Sequence, residues 1–174
     1  MAETPFPDLE LDICGEIADA VLRDLLADTA VLGTVFGNRI FETELERLAT
    51  DKAGTYQANT LLVALGPVTE QRAGNGGYTE LTTAIDIFYL SPIDKAFSTQ
   101  RWLRARVYHA IKKVLMAEQG TLRDGSGNRI TEALKRFERL DFNGRLRADS
   151  NIIVTTFRVT FVSFIDEITR NFID

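Results

Sequence analysis

The stretch IIVTTFRVTFVSFI, residues 152–165, decides the fold, because apolar and polar side chains alternate along most of it. The polar residues Thr156, Arg158 and Thr160 occupy even positions. The apolar residues at odd positions are Ile153, Phe157, Val159, Phe161 and Ile165. A period of two, built from β-branched and aromatic residues, is typical of a long strand with one buried face. We therefore predict a long strand here, with the rest of the domain packed against it.

A second strand is predicted over TTAIDIFYL, residues 82–90, where Ile85, Ile87 and Tyr89 share one face and Asp86 lies on the other. We expect it to be the partner of the first. The apolar run LLVALG, residues 61–66, is too short for a helix and ends at a proline, which favours a third strand. The segment AGNGG, residues 73–77, tolerates positive φ and predicts a hairpin, so these two strands should be antiparallel neighbours.

Two main helices are predicted from apolar residues at helical spacing. The first covers roughly residues 9–27, with Cys14 on its apolar stripe. The second is expected to begin with Ser91 as N-cap and Pro92 at its first position, and to run to about Gln119, with Gly120 as its stop.

Two segments leave their structure open. Residues 38–49 fit a short helix or an extended edge followed by a loop. Residues 130–142 also fit either a helix or a strand. For the latter we favour the strand, because Asn143-Gly144 is a strong turn signal and the final strand needs an antiparallel neighbour.

The order of elements predicts the fold class. It is an α+β domain with a four-stranded, mainly antiparallel sheet and two main helices packed on one face. We interpret residues 1–174 as a single domain, with a flexible arm at 1–8 and a C-terminal tail at 167–174.

The sheet face opposite the helices is less polar than a solvent-facing sheet should be. Apolar residues expected on that face are Phe88, Leu90, Val154, Val162 and Phe164. Either a loop of this chain or a neighbouring subunit should cover them. We therefore name Phe88, Val162 and Phe164 as candidate interface residues.

Composition narrows the class of protein. The chain has 174 residues, of which 45% are hydrophobic and 26% charged, with a formal net charge of −5 and a single cysteine, Cys14. These values are ordinary for a soluble globular domain without an internal disulfide, and the acidic balance argues against tight wrapping of nucleic acid. No signal peptide or membrane span is expected, so we predict a soluble intracellular domain.

The sequence offers little for catalysis, cofactors or metals. His109 is the one histidine, and it lies off the apolar stripe of its helix, where a solvated or interface role is favoured over a catalytic one. The glycine clusters at 74–77 and 125–127 lack the features of a P-loop or a dinucleotide fingerprint and are interpreted as turns. We predict that the protein is not an enzyme and holds no cofactor or metal.

Basic residues gather on the second helix and beside the strand predicted at residues 130–142. They are Arg101, Arg104, Arg106, Lys112 and Lys113, and Lys135, Arg136, Arg139, Arg145 and Arg147. A solvated face balanced by nearby acids explains them, as does a rim that meets an acidic protein partner. Trp102 beside Arg106 has the composition of an interface anchor, and the alternative is a tryptophan packed against loops of its own chain.

The order of elements resembles the tail terminator (tail-completion, head-tail joining) proteins of long-tailed phages. The resemblance rests on LLVALGPV at 61–68, TTAIDIFYLSPID at 82–94, the helix at 96–119 and RFERLDFNGRLRADSNIIVTTFRVTFVSF at 136–164. It covers roughly residues 61–164, and the N-terminal helix agrees in position. It is a likeness of order and texture without an invariant motif, and nothing in residues 38–57 matches.

The resemblance implies a structural virion protein. Its members form a hexameric ring on the head-proximal end of the tail, stop tube polymerisation and receive the head connector. The implied partners are further copies of the chain, the tail tube protein and the connector or neck protein, with the sheath protein as a further candidate. DNA would only pass through the lumen, no membrane is involved, and the protein would be assembled in the host cytoplasm and reside in the tail neck. The alternative is a small-molecule-binding regulatory domain of ferredoxin-like type, with its ligand between helices and sheet.

Overall fold

The computed structural model describes residues 9–43, 57–73, 77–93, 97–145 and 151–166. In these ranges a five-stranded sheet lies beneath a layer of helices. The strands are β1 (Ile40–Glu42), β2 (Thr60–Ala73), β3 (Tyr78–Pro92), β4 (Ala133–Arg145) and β5 (Ile152–Asp166). The helices are α1 (Leu9–Ala27), α2 (Leu32–Phe36) and α3 (Phe97–Leu115), followed by a 3₁₀ turn at Ala117–Gly120.

The strand order is β1-β2-β3-β5-β4, and every neighbouring pair except β1 with β2 is antiparallel. The predicted pairing of the two alternating stretches is confirmed, since Ile87 lies opposite Phe157 and Asp86 opposite Arg158. Both strands are 15 residues long. They form the centre of the sheet, and their side chains therefore define its two faces.

One face of the sheet packs under α1 and α3 and forms the main core. Ile85, Ile87 and Tyr89 of β3 and Phe157, Val159 and Phe161 of β5 are all buried there. The helices contribute a buried stripe to the same cluster, which includes Ile17, Val21 and Leu25 of α1 and Val107, Ala110 and Ile111 of α3. The side chains that recur every second residue in the strands pack against those that recur with a period of 3.6 in the helices, as the sequence patterns predict.

The α+β class is confirmed, but the predicted count of four strands is wrong by one. The extra strand, β1, falls in the segment for which helix and edge were both open. It is parallel to β2, and backbone hydrogen bonds hold it there, from Leu61 N to Arg39 O at 2.9 Å and from Thr43 N to Val63 O at 2.8 Å. Three residues are too few to show a periodicity, so tertiary pairing decides this element.

The predicted start of the second helix is wrong. Ser91 and Pro92 are the last residues of β3, opposite Ile153 and Ile152, and the Ser91 hydroxyl donates to the Ile153 carbonyl at 3.3 Å. Pairing with the full length of β5 outweighs the local capping signal. The helix α3 begins at Phe97 and ends before the 3₁₀ turn, and Gly120 closes that turn rather than the helix itself.

The strand interpretation of residues 130–142 is confirmed as β4, but the turn signal after it was placed too early. Gly144 lies within β4 and pairs with Val154, after a register shift that follows Leu140. The predicted arm at 1–8, tail at 167–174 and middle of the AGNGG turn lie outside the described residues. None of the helices in the described part of the chain is long and apolar enough to span a membrane.

Because of Tyr89, the stability of the fold should decrease at alkaline pH. Its buried hydroxyl has no hydrogen-bond partner among the described residues, and burial raises its pKa from 10.0 to about 12, against the opposing charge of Arg104. The unfolded chain releases this proton near pH 10, whereas the folded chain keeps it, so stability should fall between about pH 10 and 12 by at most about 1.4 kcal/mol per unit. Tyr89→Phe should remove this part of the alkaline loss in denaturation curves recorded across that pH range.

Candidate assembly surfaces

The far face of the sheet, opposite the helices, is divided by an ion pair across its two central strands. The Arg158 guanidinium donates from Nε to Oδ1 of Asp86 at 2.7 Å and from Nη2 to Oδ2 at 2.8 Å. Asp86 is only 3% exposed, so this pairing compensates a buried charge. The hydrogen bond to Asp86 raises the pKa of Arg158 despite the opposing effect of burial. The far face therefore has a charged row at its middle.

On one side of this row the far face is covered within the chain. Leu62, Ala64, Phe88 and Leu90 form a buried cluster there, with Ile152 and Val154 packed against it. Phe88 is only 8% exposed. The interface role named for Phe88 stays a prediction, but its burial leaves little surface for a partner. We considered a loop of this chain or a neighbouring subunit as the cover of this face. On this side of the ion pair the residues are already buried within the single chain.

On the other side of the row the far face is partly open. Val162 and Phe164 are half-buried, beside the similarly half-buried Thr82 and Thr160. Lys135 of the edge strand β4 reaches Glu80 of β3 at 3.5 Å. Val162 and Phe164 thus keep apolar surface available for contact, which is what the interface prediction requires.

The outer surface of α3 carries the predicted tryptophan. Trp102 is 60% exposed, and the Arg106 guanidinium carbon lies 5.3 Å from the centre of its ring, within cation–π distance. This exposure does not fit a tryptophan packed against loops of its own chain. Arg101, His109 and Lys113 are exposed on the same helix. We call Arg101, Trp102, Arg106, His109 and Lys113 the α3 basic face.

The positive charges of this face are uncompensated within the part of the chain that the structure describes. No ion pair there involves Arg101, Arg106 or Lys113, although other arginines of the chain do form ion pairs, such as Arg129 with Glu132 at 2.9 Å. A solvated face balanced by its own acids was one interpretation of these residues, and the described residues show no such balance for these three side chains. The other interpretation, a rim that meets an acidic protein partner, stays a prediction.

A groove of about 380 Å³ lies at the C-terminal ends of α1 and α3. Its carboxylates are Asp24, Asp28 and Glu118, and its apolar lining includes Ala27, Val114, Leu115 and Leu122. We call it the acidic groove. Burial raises the pKa of Asp24, with Glu118 acting in the same direction and Arg23 opposing. The groove therefore brings partly desolvated negative charge next to apolar surface.

Sequence reasoning missed the acidic groove because its residues come from three separate segments. Asp28 directly follows the first helix, and its carboxylate accepts hydrogen bonds from the backbone N–H groups of Ala30 at 3.2 Å and Leu32 at 3.3 Å. Glu118 belongs to the 3₁₀ turn that the second helix was expected to cover. Only the packing of α1 beside α3 joins them, and no local pattern signals that.

The described residues give little support for other chemistry. Among them, no group of three or more His, Cys, Asp or Glu side chains could hold a metal ion. His109 is exposed, with its ring 5.4 Å from that of Tyr108. Cys14 is buried, with its sulfur 3.8 Å from the Thr83 hydroxyl. These positions suit a surface histidine and a core cysteine.

Comparison with solved structures then places this architecture among known ones. The fold is similar to that of a chain in a gene transfer agent virion. The match is to the structure described as the virion of the native gene transfer agent (GTA) particle, with a TM-score of 0.50 and 18% sequence identity, over 86% of this chain and 97% of that one. At this identity the likeness concerns the fold. No family model and no curated protein matches the sequence.

Proposed function

We propose that this protein is a structural component of a phage-like virion, and that its copies form a hexameric ring that ends the tail. In this role the ring caps the head-proximal end, stops tube polymerisation and receives the head connector, without catalysis. The observation that supports the proposal most is the fold shared with a gene transfer agent virion chain over 97% of that chain. The sequence likeness to tail terminators points to the same role.

The surfaces of the chain suit such a role. A ring needs a heterologous contact, in which one patch of each copy meets a different patch of the next. The α3 basic face, the acidic groove and the half-buried Val162 and Phe164 are separate surfaces. One pair can join copies while another remains for the tube protein, the connector or the sheath protein. The net charge of −5 suits a lumen through which DNA must pass without adhering.

The proposal is tested by adding the purified protein to tail tube protein from the same source while it polymerises. We expect tubes of limited length that carry a ring at one end in electron micrographs, and a hexamer by native mass spectrometry, either alone or with tubes. An equal amount of an unrelated acidic protein is the control. A chain that remains monomeric and leaves tube length unchanged would contradict the proposal.

Trp102→Ala should weaken association of copies much more than it weakens folding. The side chain is largely exposed, so its loss should change the free energy of unfolding by no more than about 0.5 kcal/mol. An exposed tryptophan stacked with an arginine is typical of an interface hot spot, whose truncation costs about 2 kcal/mol or more of binding. Sedimentation velocity and thermal melting separate the two effects. Equal losses in both would show that Trp102 serves the fold.

A further inference from the structure

We propose that the α3 basic face of one copy docks in the acidic groove of the next copy, and that this contact joins the ring. The inference rests on the proposed ring function and goes beyond it by naming the two surfaces that meet. The occupant of the groove is thus a second copy of this chain. Charge, apolar content and placement on the molecule each support it.

The two surfaces are complementary in charge. The α3 basic face carries three permanent positive charges, from Arg101, Arg106 and Lys113. The groove presents three carboxylates and one arginine, Arg123, and both this arginine and the neighbouring Arg23 already make contacts within the chain. Arg123 contacts Glu118 at 3.3 Å and the Gly127 carbonyl at 3.0 Å, while Arg23 donates to the Arg123 carbonyl.

The carboxylates of the groove retain capacity for a further cation. Asp24 lies 3.9 Å from the Arg23 guanidinium, at the long limit of an ion pair. Glu118 has an exposed side chain with one cation beside it. Because carboxylates accept several hydrogen bonds, an incoming guanidinium can bind to Glu118 or Asp24 without displacing the present contacts.

The surfaces also match in apolar content. Trp102 offers a flat, exposed ring with a cation held over it, and the groove offers Ala27, Val114 and Leu122 between its carboxylates. Interfaces of soluble proteins favour this combination of a tryptophan and an arginine meeting an apolar pocket with a charged rim. A purely electrostatic partner, such as a phosphate backbone, would not need the apolar lining and would be repelled by the groove.

Their positions allow one copy to use both surfaces at once. Trp102 lies near the start of α3, whereas Val114 lies near its end. At 1.5 Å per residue, the 12 residues between them span about 18 Å along the helix. Of the basic face only Lys113 lies beside the groove, next to Val114 in the chain, so each copy can bind one neighbour with the Trp102 and Arg106 end of α3 and another with its groove. This is the head-to-tail arrangement from which closed rings are built.

The test is a charge exchange across the proposed contact. Arg106→Glu and Glu118→Arg, each alone, should place like charges together and raise the concentration needed for assembly by about tenfold or more. The double variant restores opposite charges and should recover assembly. Sedimentation velocity of the full chain, with tube protein where the ring needs it, measures the effect. Unchanged melting temperatures establish that each variant is folded.

Arg136→Glu is the matched control, because Arg136 is an exposed arginine on the edge strand β4 and belongs to neither surface. It should assemble like the unmodified chain. Rings that survive both single reversals, or a double variant no better than the worse single one, would overturn this contact and leave the ring function standing. Loss of rings on Arg136→Glu alone would assign the contact to the β4 edge. An unmodified chain that never forms rings, with or without tubes, would overturn the function and this contact together.

Discussion

Arg158→Leu is expected to lower the free energy of unfolding by about 3 kcal/mol, because it leaves the buried carboxylate of Asp86 without its partner. The pair spans β3 and β5 at the centre of the sheet, where Asp86 and Arg158 face each other in register. Both guanidinium contacts are below 3 Å, so the variant removes two charge-assisted hydrogen bonds at once. Leucine keeps the apolar contacts of the arginine stem but cannot neutralise the acid.

A surface ion pair on the same sheet supplies the control. Arg136 and Glu138 lie 2.8 Å apart on β4, and the Arg136 side chain is 69% exposed. Arg136→Leu should therefore cost less than about 1 kcal/mol. Denaturant unfolding followed by circular dichroism suits both variants, since the exposed Trp102 would report unfolding poorly by fluorescence.

A second variant separates loss of the pair from loss of packing. Asp86→Asn combined with Arg158→Leu removes the buried charge while keeping the shape of the acid. It should recover a large part of the stability lost by Arg158→Leu, because the main cost is an uncompensated charge and not a cavity. If Arg158→Leu costs no more than Arg136→Leu, the pair contributes nothing beyond an ordinary surface contact.

The sheet was predictable where its strands are long and half-buried. The alternation in residues 152–165 and 82–90 fixes which side chains face the helices, and a shift of one residue would reverse every one of them. The first helix was predictable for a similar reason, since its buried apolar stripe extends from Cys14 to Leu25. A long segment repeats its hydrophobic period several times, so its secondary structure can be predicted from the sequence.

The misplaced elements share a physical cause. Ser91-Pro92 is a sound helix start and Asn143-Gly144 a sound turn, yet both lie inside strands. In each case pairing with β5 continues past the local signal, because each added residue satisfies further backbone hydrogen bonds. The local preference for a turn or a helix start stabilises the chain less than backbone hydrogen bonds to a neighbouring strand do.

The candidate surfaces were only half predictable. Composition and helical spacing indicate that Trp102 and Arg106 share a side of their helix, and the structure places them in contact. Phe88 was expected on the far face as well, but periodicity cannot show what covers a face, and Phe88 is buried. The acidic groove depends on how α1 and α3 pack together, which lies beyond any single segment.

Gly120→Ala is expected to lower the free energy of unfolding by about 3 kcal/mol, from two additive causes. Gly120 has a φ of +81°, a conformation that costs other residues about 1–2 kcal/mol. A methyl group there would also lie 2.7 Å from the backbone nitrogen of Leu134 on β4, and relieving such overpacking costs about 1–3 kcal/mol. The backbone of Leu134 is held in the sheet by pairing with Phe161, so it cannot yield easily.

Alanine substitutions of two glycines in the following loop separate the backbone cost from the cost of the close contact. Gly127 has a φ of +89° but open space around the added carbon, so Gly127→Ala should show the backbone cost alone, about 1 kcal/mol. Gly125 has neither feature, and Gly125→Ala should change stability by less than about 0.5 kcal/mol. Denaturant unfolding of the three variants should therefore rank Gly120, Gly127 and Gly125 in decreasing order of cost. Because Gly120 seats the 3₁₀ turn that forms one wall of the acidic groove, Gly120→Ala should also weaken assembly, while Gly125→Ala should leave it intact. Equal costs for Gly120→Ala and Gly127→Ala would mean that the turn does not press on β4 as closely as described.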